Sequence, residues 1–352
     1  MPELTLPDLH AALLALSLNA YVLFGGADFG GGVWDLLASG PRQRRQRELI
    51  SHAISPIWEA NHVWLILAIV LTFTCFPPVF ARLGIVLHIP LTLMLVGIVL
   101  RGSAFTFRSY GSEHDTDQLR WGRIFSIASV LTPVLLGICL GAIAAGRVGG
   151  TLEGGFVERF VDPWWNPFAV SVGFLALALF AFLAAVFLTL ESHDVALTED
   201  FRRRALAAGI AVFVAAGLAL LLSLGGKAPL MHAGLLGSGW AIPLHVVTGA
   251  SAIAALAALC FRRYRLARIA AATQVSLIVW GWALSQYPYL LPPGFTIRDS
   301  ASPPATLRLA AIALAFGGLV LLPSLWYLFR IFKSAPADAP GATLRQHDEE
   351  MR

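Results

Sequence analysis

The sequence predicts an all-α integral membrane protein with about nine transmembrane helices, an outside N-terminus and a cytoplasmic C-terminus. Hydrophobic residues make up 57% of the 352 residues and charged residues 13%, whereas soluble domains carry about 25% charged residues. Apolar stretches of about 20 residues, long enough to cross the hydrocarbon core of a bilayer, recur along the chain. Basic residues are concentrated on alternate connections between these stretches.

Short connections join the predicted spans. The spans lie at residues 9–37, 54–76, 79–104, 122–146, 165–190, 204–225, 239–261, 268–285 and 307–332. Since no connection is long enough for a soluble domain, residues 1–335 are predicted to form a single membrane domain. Residues 336–352 are rich in Pro, Ala and mixed charges, a composition that predicts a disordered cytoplasmic tail.

The distribution of positive charge sets the orientation. With the N-terminus outside, the cytoplasmic segments hold 19 of the 25 Lys and Arg residues, as the positive-inside rule requires. The formal charge of +4 therefore reflects membrane topology, and no nucleic-acid partner is predicted. The three cysteines lie far apart without a CxxC motif, which indicates neither a disulfide framework nor covalently attached haem.

The first span contains the stretch LFGGADFGGGVWDLL, residues 23–37. Its glycines have two interpretations, either close packing against other helices or a helix broken around a transported solute. Counting inward from residue 9 places Asp28 in the inner third of the bilayer. Asp35 is predicted at the cytoplasmic edge, where water would solvate it.

The second span begins with PIWEANHVW, residues 56–64. Glu59 and His62 are spaced i, i+3, which predicts one shared helix face, and their depth matches that of Asp28. One interpretation is a neutral polar pair that holds two helices together. The other is a proton relay, because a buried carboxyl and an imidazole can each load and release a proton near neutral pH.

Other polar residues in the spans also have two interpretations. His88 and His245 are predicted at similar outer depth, where they would either ligate a b-type haem or make structural hydrogen bonds. Arg101, at the inner end of the third span, would either extend its guanidinium to the membrane surface or pair with an acid.

Four blocks, taken in order along the chain, resemble one family. They are GGADFGGG, PIWEANHVWLILA, LRGSAFTFR, and the late stretch GWALSQYPYLLPP followed by DSASPPATLR. Together they are similar to subunit II of the cytochrome bd quinol oxidases. The resemblance implies two four-helix bundles plus one peripheral helix, in a multi-pass protein of the bacterial inner membrane.

The resemblance further implies a non-catalytic subunit of a quinol:oxygen oxidoreductase. In the family, subunit I binds haems b and d, oxidises quinol and reduces dioxygen to water, whereas subunit II binds no haem and contributes to assembly and to cytoplasmic proton delivery. The expected partners are therefore a haem-bearing subunit I, membrane lipid and the quinol pool. A small accessory subunit and a structural quinone within this chain stay open.

The resemblance also assigns roles to residues. Glu59 matches the acid of the family's W-acid-G-N motif, so a proton pathway through Glu59, Asp28 and His62 is expected. The expected interface or supporting polar residues are Trp58, Asn61, Trp64 and Arg101.

Several positions depart from the family pattern. Gly25 stands where the first acid of helix one is usual, Ala60 replaces a glycine, His62 stands where Glu or Gln is common, and Thr106 stands where Glu is common. These changes indicate a divergent member. Two other classes are retained as hypotheses: a proton-coupled secondary transporter that uses Asp28 with Glu59, and a self-sufficient b-type cytochrome that uses His88 and His245.

Overall fold

The computed structural model describes residues 5–54, 58–110, 115–151, 153–225 and 227–334, and the predicted tail at 336–352 lies outside them. Helices dominate the described chain. They are α1 (Leu6–Leu36), α2 (Gln43–Ile54), α3 (Trp58–Cys75), α4 (Pro77–Val86), α5 (His88–Tyr110), α6 (Asp115–Ala144), α7 (Phe156–Phe160), α8 (Pro167–Glu191), α9 (Val195–Ser223), α10 (Pro229–His232), α11 (Ala241–Cys260), α12 (Tyr264–Gln286) and α13 (Pro304–Ser334). A π-helical turn (Ala233–Gly237) and an antiparallel pair of short strands, β1 (Tyr289–Leu291) and β2 (Phe295–Thr296), complete them.

The long helices confirm the predicted fold class. Within the described residues, eight helices are long and apolar enough to cross a membrane, and the count reaches nine if α2 and α3, bent by 53°, form one span. Helices α1, α3, α5 and α6 form a first bundle, and α8, α9, α11 and α12 form a second. Helices α1 and α6 pack against α8 and so join the bundles, while α13 contacts α1 and α3 at the periphery.

The predicted third span is divided in the structure. Residues 79–104 were expected to form one helix, but α4 ends at Val86 and α5 begins at His88. Pro90 explains the break, because it has no N–H to donate to Val86 and its ring conflicts with that carbonyl.

The segment at the end of the first span forms a helix that the hydropathy pattern did not predict. In α2, Gln46, Ile50 and Ile54 are buried on one face, while Arg44 and Glu48 form an exposed i, i+4 ion pair on the other. A short polar helix with one buried face is typical of a segment lying along the membrane surface.

The glycines of α1 serve close packing. Helix α1 is continuous over its 31 residues, so the broken-helix interpretation is wrong. A Cβ built at Gly30 would lie 2.5 Å from the carbonyl carbon of Phe180 and 2.7 Å from Cβ of Ala184, and one at Gly26 would lie 2.7 Å from the Phe180 ring. These glycines let the backbones of α1 and α8 approach each other.

Polar contacts at the predicted cytoplasmic ends of the helices also join the bundles. Arg42 pairs with Asp200 of α9 at 2.6 Å, and Arg204 of α9 donates to Gln46 of α2 at 2.7 Å. In the last turn of α1, Trp34 Nε1 donates to the Ala181 carbonyl of α8 at 2.7 Å. The two bundles are therefore held in a fixed relation at this end.

Candidate functional site

Asp28 and Asn61 meet where α1 crosses α3. The Asn61 Nδ2 group donates to Asp28 Oδ2 at 2.5 Å and to the Phe24 carbonyl at 3.5 Å. Both side chains are buried, with 3% of Asp28 and 2% of Asn61 exposed. The glycine-rich block of the first span and the WEANH block of the second are thus in direct contact through their polar side chains.

Arg101 lies beside this pair inside the first bundle. Its side chain is 2% exposed, and its Nε donates to Ser129 Oγ of α6 at 3.2 Å. The guanidinium lies 4.7 Å from the Phe29 ring centroid and 5.2 Å from that of Phe125, and it is attracted electrostatically to Asp28. The guanidinium is therefore buried instead of extended to the membrane surface, and its electrostatic attraction to Asp28 lowers the cost of a charge at this depth.

His62 faces α1 and is half-buried. Its imidazole makes edge contacts with the rings of Tyr21 and Phe29, at centroid distances of 6.0 and 6.1 Å. Tyr21 is buried as well. The imidazole therefore packs between two aromatic rings of α1, next in sequence to the Asn61 that bonds Asp28.

Glu59 lies in the first turn of α3, with its side chain exposed on the surface of the first bundle. The expectation that Glu59 and His62 share one environment is therefore corrected. An i, i+3 spacing leaves about 60° between two side chains around the helix axis. That angle is enough for His62 to face α1 while Glu59 faces outward.

The two tryptophans of the same block differ in what the structure shows. Trp64 is half-buried and stacks on Phe24 of α1, with ring centroids 6.4 Å apart. The side chain of Trp58 lies outside the described part of the chain. Trp64 thus contributes to the packing of α3 on α1.

Asp35 is buried, contrary to the expectation that water solvates it. Its side chain is 2% exposed and accepts a hydrogen bond from Ser126 Oγ of α6 at 2.8 Å. Ser126, Ser129 and Tyr21 were not predicted from the sequence. A signal was present, because Tyr21, Asp28 and Asp35 recur every seven residues and therefore share one face of α1.

His88 and His245 are exposed and lie in different bundles. The Nδ1 of His88 is 2.9 Å from the Ile85 carbonyl, and that of His245 is 2.6 Å from the Ala241 carbonyl. The structure does not bring the two imidazoles together. Among the described residues, no group of three or more His, Cys, Asp or Glu side chains is placed to hold a metal ion.

Comparisons with known proteins give a consistent result. The family model described as cytochrome bd terminal oxidase subunit II matches residues 6–332. A putative cytochrome bd menaquinol oxidase subunit II of Bacillus subtilis is 23% identical over 337 residues, covering 91% of this chain and 95% of that protein. The cytochrome bd-I ubiquinol oxidase subunit 2 of Escherichia coli K12 is 24% identical over 187 residues, covering 51% of this chain and 47% of that protein.

A solved structure is similar over nearly the whole chain. It is the bd oxidase from Geobacillus thermodenitrificans, which matches with a TM-score of 0.78 and 25% sequence identity. The match covers 93% of this chain and 98% of that one.

Proposed function

We propose, on the premise that the chain belongs to the cytochrome bd terminal oxidase subunit II family, that it binds no haem, assembles with a haem-bearing subunit I and delivers cytoplasmic protons for oxygen reduction. Family membership makes the chain a multi-pass subunit of a bd-type oxidase in the bacterial inner membrane. What we propose beyond this is that subunit I binds the haems, that this chain delivers protons, and that specific residues carry them.

One observation carries the proton-delivery role: an exposed carboxylate stands next to a buried polar group. Glu59 is exposed at the predicted cytoplasmic end of α3. Within the next helical turn, Asn61 reaches the buried Asp28 and His62 contacts Tyr21. Glu59 would take up protons at the surface, and the group formed by His62 and Asp28 would receive them.

The face of α3 that carries Glu59 also suits a membrane partner. At spacings that keep this face, α3 exposes Ile66, Val70 and Phe73. These apolar side chains form a stripe along the first bundle with the carboxylate at its head. A subunit I packed on the stripe would bring Glu59 to the subunit boundary, where a proton can pass from one chain to the other.

Haems bound in subunit I would supply electrons to dioxygen, while this chain's residues hold and move protons. Since His88 and His245 are far from forming a facing pair, we assign no haem ligand to the described residues. The imidazole of His62 suits proton transfer because its unperturbed pKa lies near neutrality. Asn61 orients the Asp28 carboxylate toward α3.

Substituting Glu59 tests the proposal in the assembled two-subunit oxidase. We expect Glu59→Gln to lower oxygen consumption at saturating quinol while the haem content stays normal, because the amide cannot carry a proton. Glu48→Gln, an exposed acid on α2, is the matched control. If Glu59→Gln turns over at the wild-type rate, protons still reach the oxygen site without this carboxylate. That result would remove Glu59 from the pathway.

A second substitution addresses the imidazole. If His62 carries protons, His62→Leu should shift the pH profile of turnover, because the leucine does not titrate. An unchanged profile with normal haem content would leave His62 as a packing residue between Tyr21 and Phe29.

A further inference from the structure

Helices α1, α5 and α6 enclose a line of buried polar side chains, which we call the serine seam. On α6 the hydroxyl residues recur every three positions and on α1 the acids recur after seven, so each set lies on one helix face. The members are Asp28 and Asp35 of α1, Arg101 of α5, and Ser126, Ser129 and Thr132 of α6, all of them 3% exposed or less.

Two separate hydrogen bonds lie within the seam, and the Ser126 and Ser129 hydroxyls are also within hydrogen-bond distance of the Gly122 and Phe125 carbonyls of their own helix. At the predicted cytoplasmic end, Ser126 Oγ donates to Asp35 Oδ2 at 2.8 Å. One helical turn further along α6, Ser129 Oγ accepts from Arg101 Nε at 3.2 Å. Arg101 is in turn attracted to Asp28. The seam members therefore lie in order between the inner end of α1 and the carboxylate that Asn61 holds, and proton transfer along them needs water between Ser126 and Ser129 and between Ser129 and Asp28.

Two glycines make room for the hydroxyl groups. A Cβ built at Gly32 of α1 would overlap Cβ and Oγ of Ser129, and one at Gly97 of α5 would overlap Oγ1 of Thr132. Any larger residue at Gly32 or Gly97 would displace these hydroxyls from the seam. The close approach of the three helices thus brings polar side chains together rather than apolar ones.

Two buried polar atoms of the seam point to bound water. Thr132 Oγ1 and Arg101 Nη2 have no hydrogen-bond partner within the described ranges. A buried donor left unsatisfied is unfavourable, and ordered water usually satisfies such groups. Water between Arg101 and the α6 hydroxyls would also connect Ser126 to Ser129, which lie one turn apart.

We propose that Asp35 is a second proton-uptake carboxylate and that the serine seam conducts its protons to Asp28. The inference rests on the proposed function and adds an entry point separate from Glu59. In each step a hydroxyl or water accepts one proton and releases another, so one O–H bond forms as one breaks and the seam is unchanged. The Arg101 guanidinium stays protonated and takes no part in these transfers, so water beside it carries the proton on to Asp28.

Asp35 lies at the predicted cytoplasmic end of the seam. It lies one residue before the end of α1, and the residues that follow, Leu36 and Leu37, are exposed. Charged side chains in its surroundings include Arg47 of α2, whose Nε donates to the Asp35 carbonyl at 3.3 Å, and Arg204 of α9, which lies over Trp34.

The test compares Asp35→Asn, Glu59→Gln and the double variant in the complete oxidase. Asparagine at position 35 still accepts from Ser126, so the packing is preserved. We expect each single substitution to lower oxygen-consumption turnover about twofold, since the other carboxylate still admits protons. The double substitution should lower it by about a hundredfold, the lower end of what a positioned proton carrier contributes.

The outcomes separate the seam from the Glu59 pathway. The seam proposal is overturned if Asp35→Asn has wild-type turnover and the double variant turns over at the rate of Glu59→Gln alone. The role of Glu59 then stands. If Asp35→Asn alone is as slow as the double variant and Glu59→Gln is unchanged, Glu59 is dismissed and the seam stands. Wild-type turnover in the double variant overturns both.

A second readout distinguishes conduction from a structural role. Ser126→Ala keeps Asp35 but removes the hydroxyl that links it to the seam, so it should reproduce the Asp35→Asn rate and change the solvent deuterium isotope effect on turnover. If Ser126 is only structural, the variant should give less haem-bearing complex, while the isotope effect of each assembled complex stays at the wild-type value. That result would refute conduction through the seam. Asp162→Asn, an exposed acid outside the seam, is the control.

Discussion

Replacing Gly30 by alanine tests the close contact between α1 and α8. The added Cβ would lie 2.5 Å from the carbonyl carbon of Phe180, where ordinary contact begins at 3.4 Å. The obstacle is main chain within a helix, so no side-chain rotation can relieve the overlap. The carbonyl oxygen of Phe180 would lie closer still, so the two helices must separate by more than about 1 Å, as in other overpacked cores.

The separation has a cost that the structure allows us to work out. Overpacking costs about 1–3 kcal/mol. The hydrogen bond from Trp34 Nε1 to the Ala181 carbonyl, now 2.7 Å, would lengthen beyond bonding distance, and its loss adds roughly 1 kcal/mol. We expect Gly30→Ala to lower the free energy of unfolding by about 2–4 kcal/mol, the sum of these two contributions.

The assay is the thermal midpoint of the purified oxidase, followed by its haem absorbance. Gly217→Ala is the control, because a Cβ at Gly217 of α9 meets no atom within 4 Å. The Gly30 variant should melt several degrees below the control. If the two variants melt together, α1 and α8 are not in backbone contact at Gly30, and the packing account of the glycines fails.

Two further predictions concern charges. Arg101→Met leaves Asp28 buried without its cation, which should destabilise the subunit by about 3–5 kcal/mol. Combining Arg101→Met with Asp28→Asn should recover most of the assembled complex. A double variant as unstable as Arg101→Met would show that the two side chains act separately. Asp194 caps α9 through the Ala196 N–H, and that hydrogen bond together with Arg45 lowers the pKa of Asp194 below its usual 3.8. Its contribution is therefore present at neutral pH and is lost as the pH falls below 3.8. The gap in thermal midpoint between wild type and Asp194→Asn, which keeps the cap, should close over that range, and a gap independent of pH would contradict the assignment.

The sequence predicted those features that depend on length and depth. A stretch of about 20 apolar residues crosses a bilayer whatever its neighbours are, so the spans were recognisable. Glu59 and His62 were placed at the depth of Asp28 by counting residues along antiparallel helices, and the structure finds the intervening Asn61 hydrogen-bonded to Asp28.

Features that depend on rotation about a helix axis or on neighbouring helices were missed. Glu59 and His62 were assigned to one face, although 60° of rotation separates an inward from an outward side chain. Asp35 was expected in water because depth places it at the membrane edge, yet Ser126 of α6 and the close approach at Gly32 enclose it. Hydrophobicity along one chain cannot report which helix covers a given face.

The departures from the family pattern at positions 25 and 62 belong together in the structure. A Cβ at Gly25 would lie 2.8 Å from the Tyr21 ring, so the phenol fills the space that a side chain at position 25 would need. The same ring makes the edge contact with His62. An acid at position 25 would therefore require Tyr21 to move, and moving Tyr21 would remove a contact of the imidazole. We infer that Tyr21, Gly25 and His62 form one unit. The Tyr21 phenol occupies the space of the family's carboxylate at position 25, and the His62 imidazole stands where the family has Glu or Gln. Restoring the family residue at position 25 alone should not restore the family's site, because the tyrosine ring already occupies it.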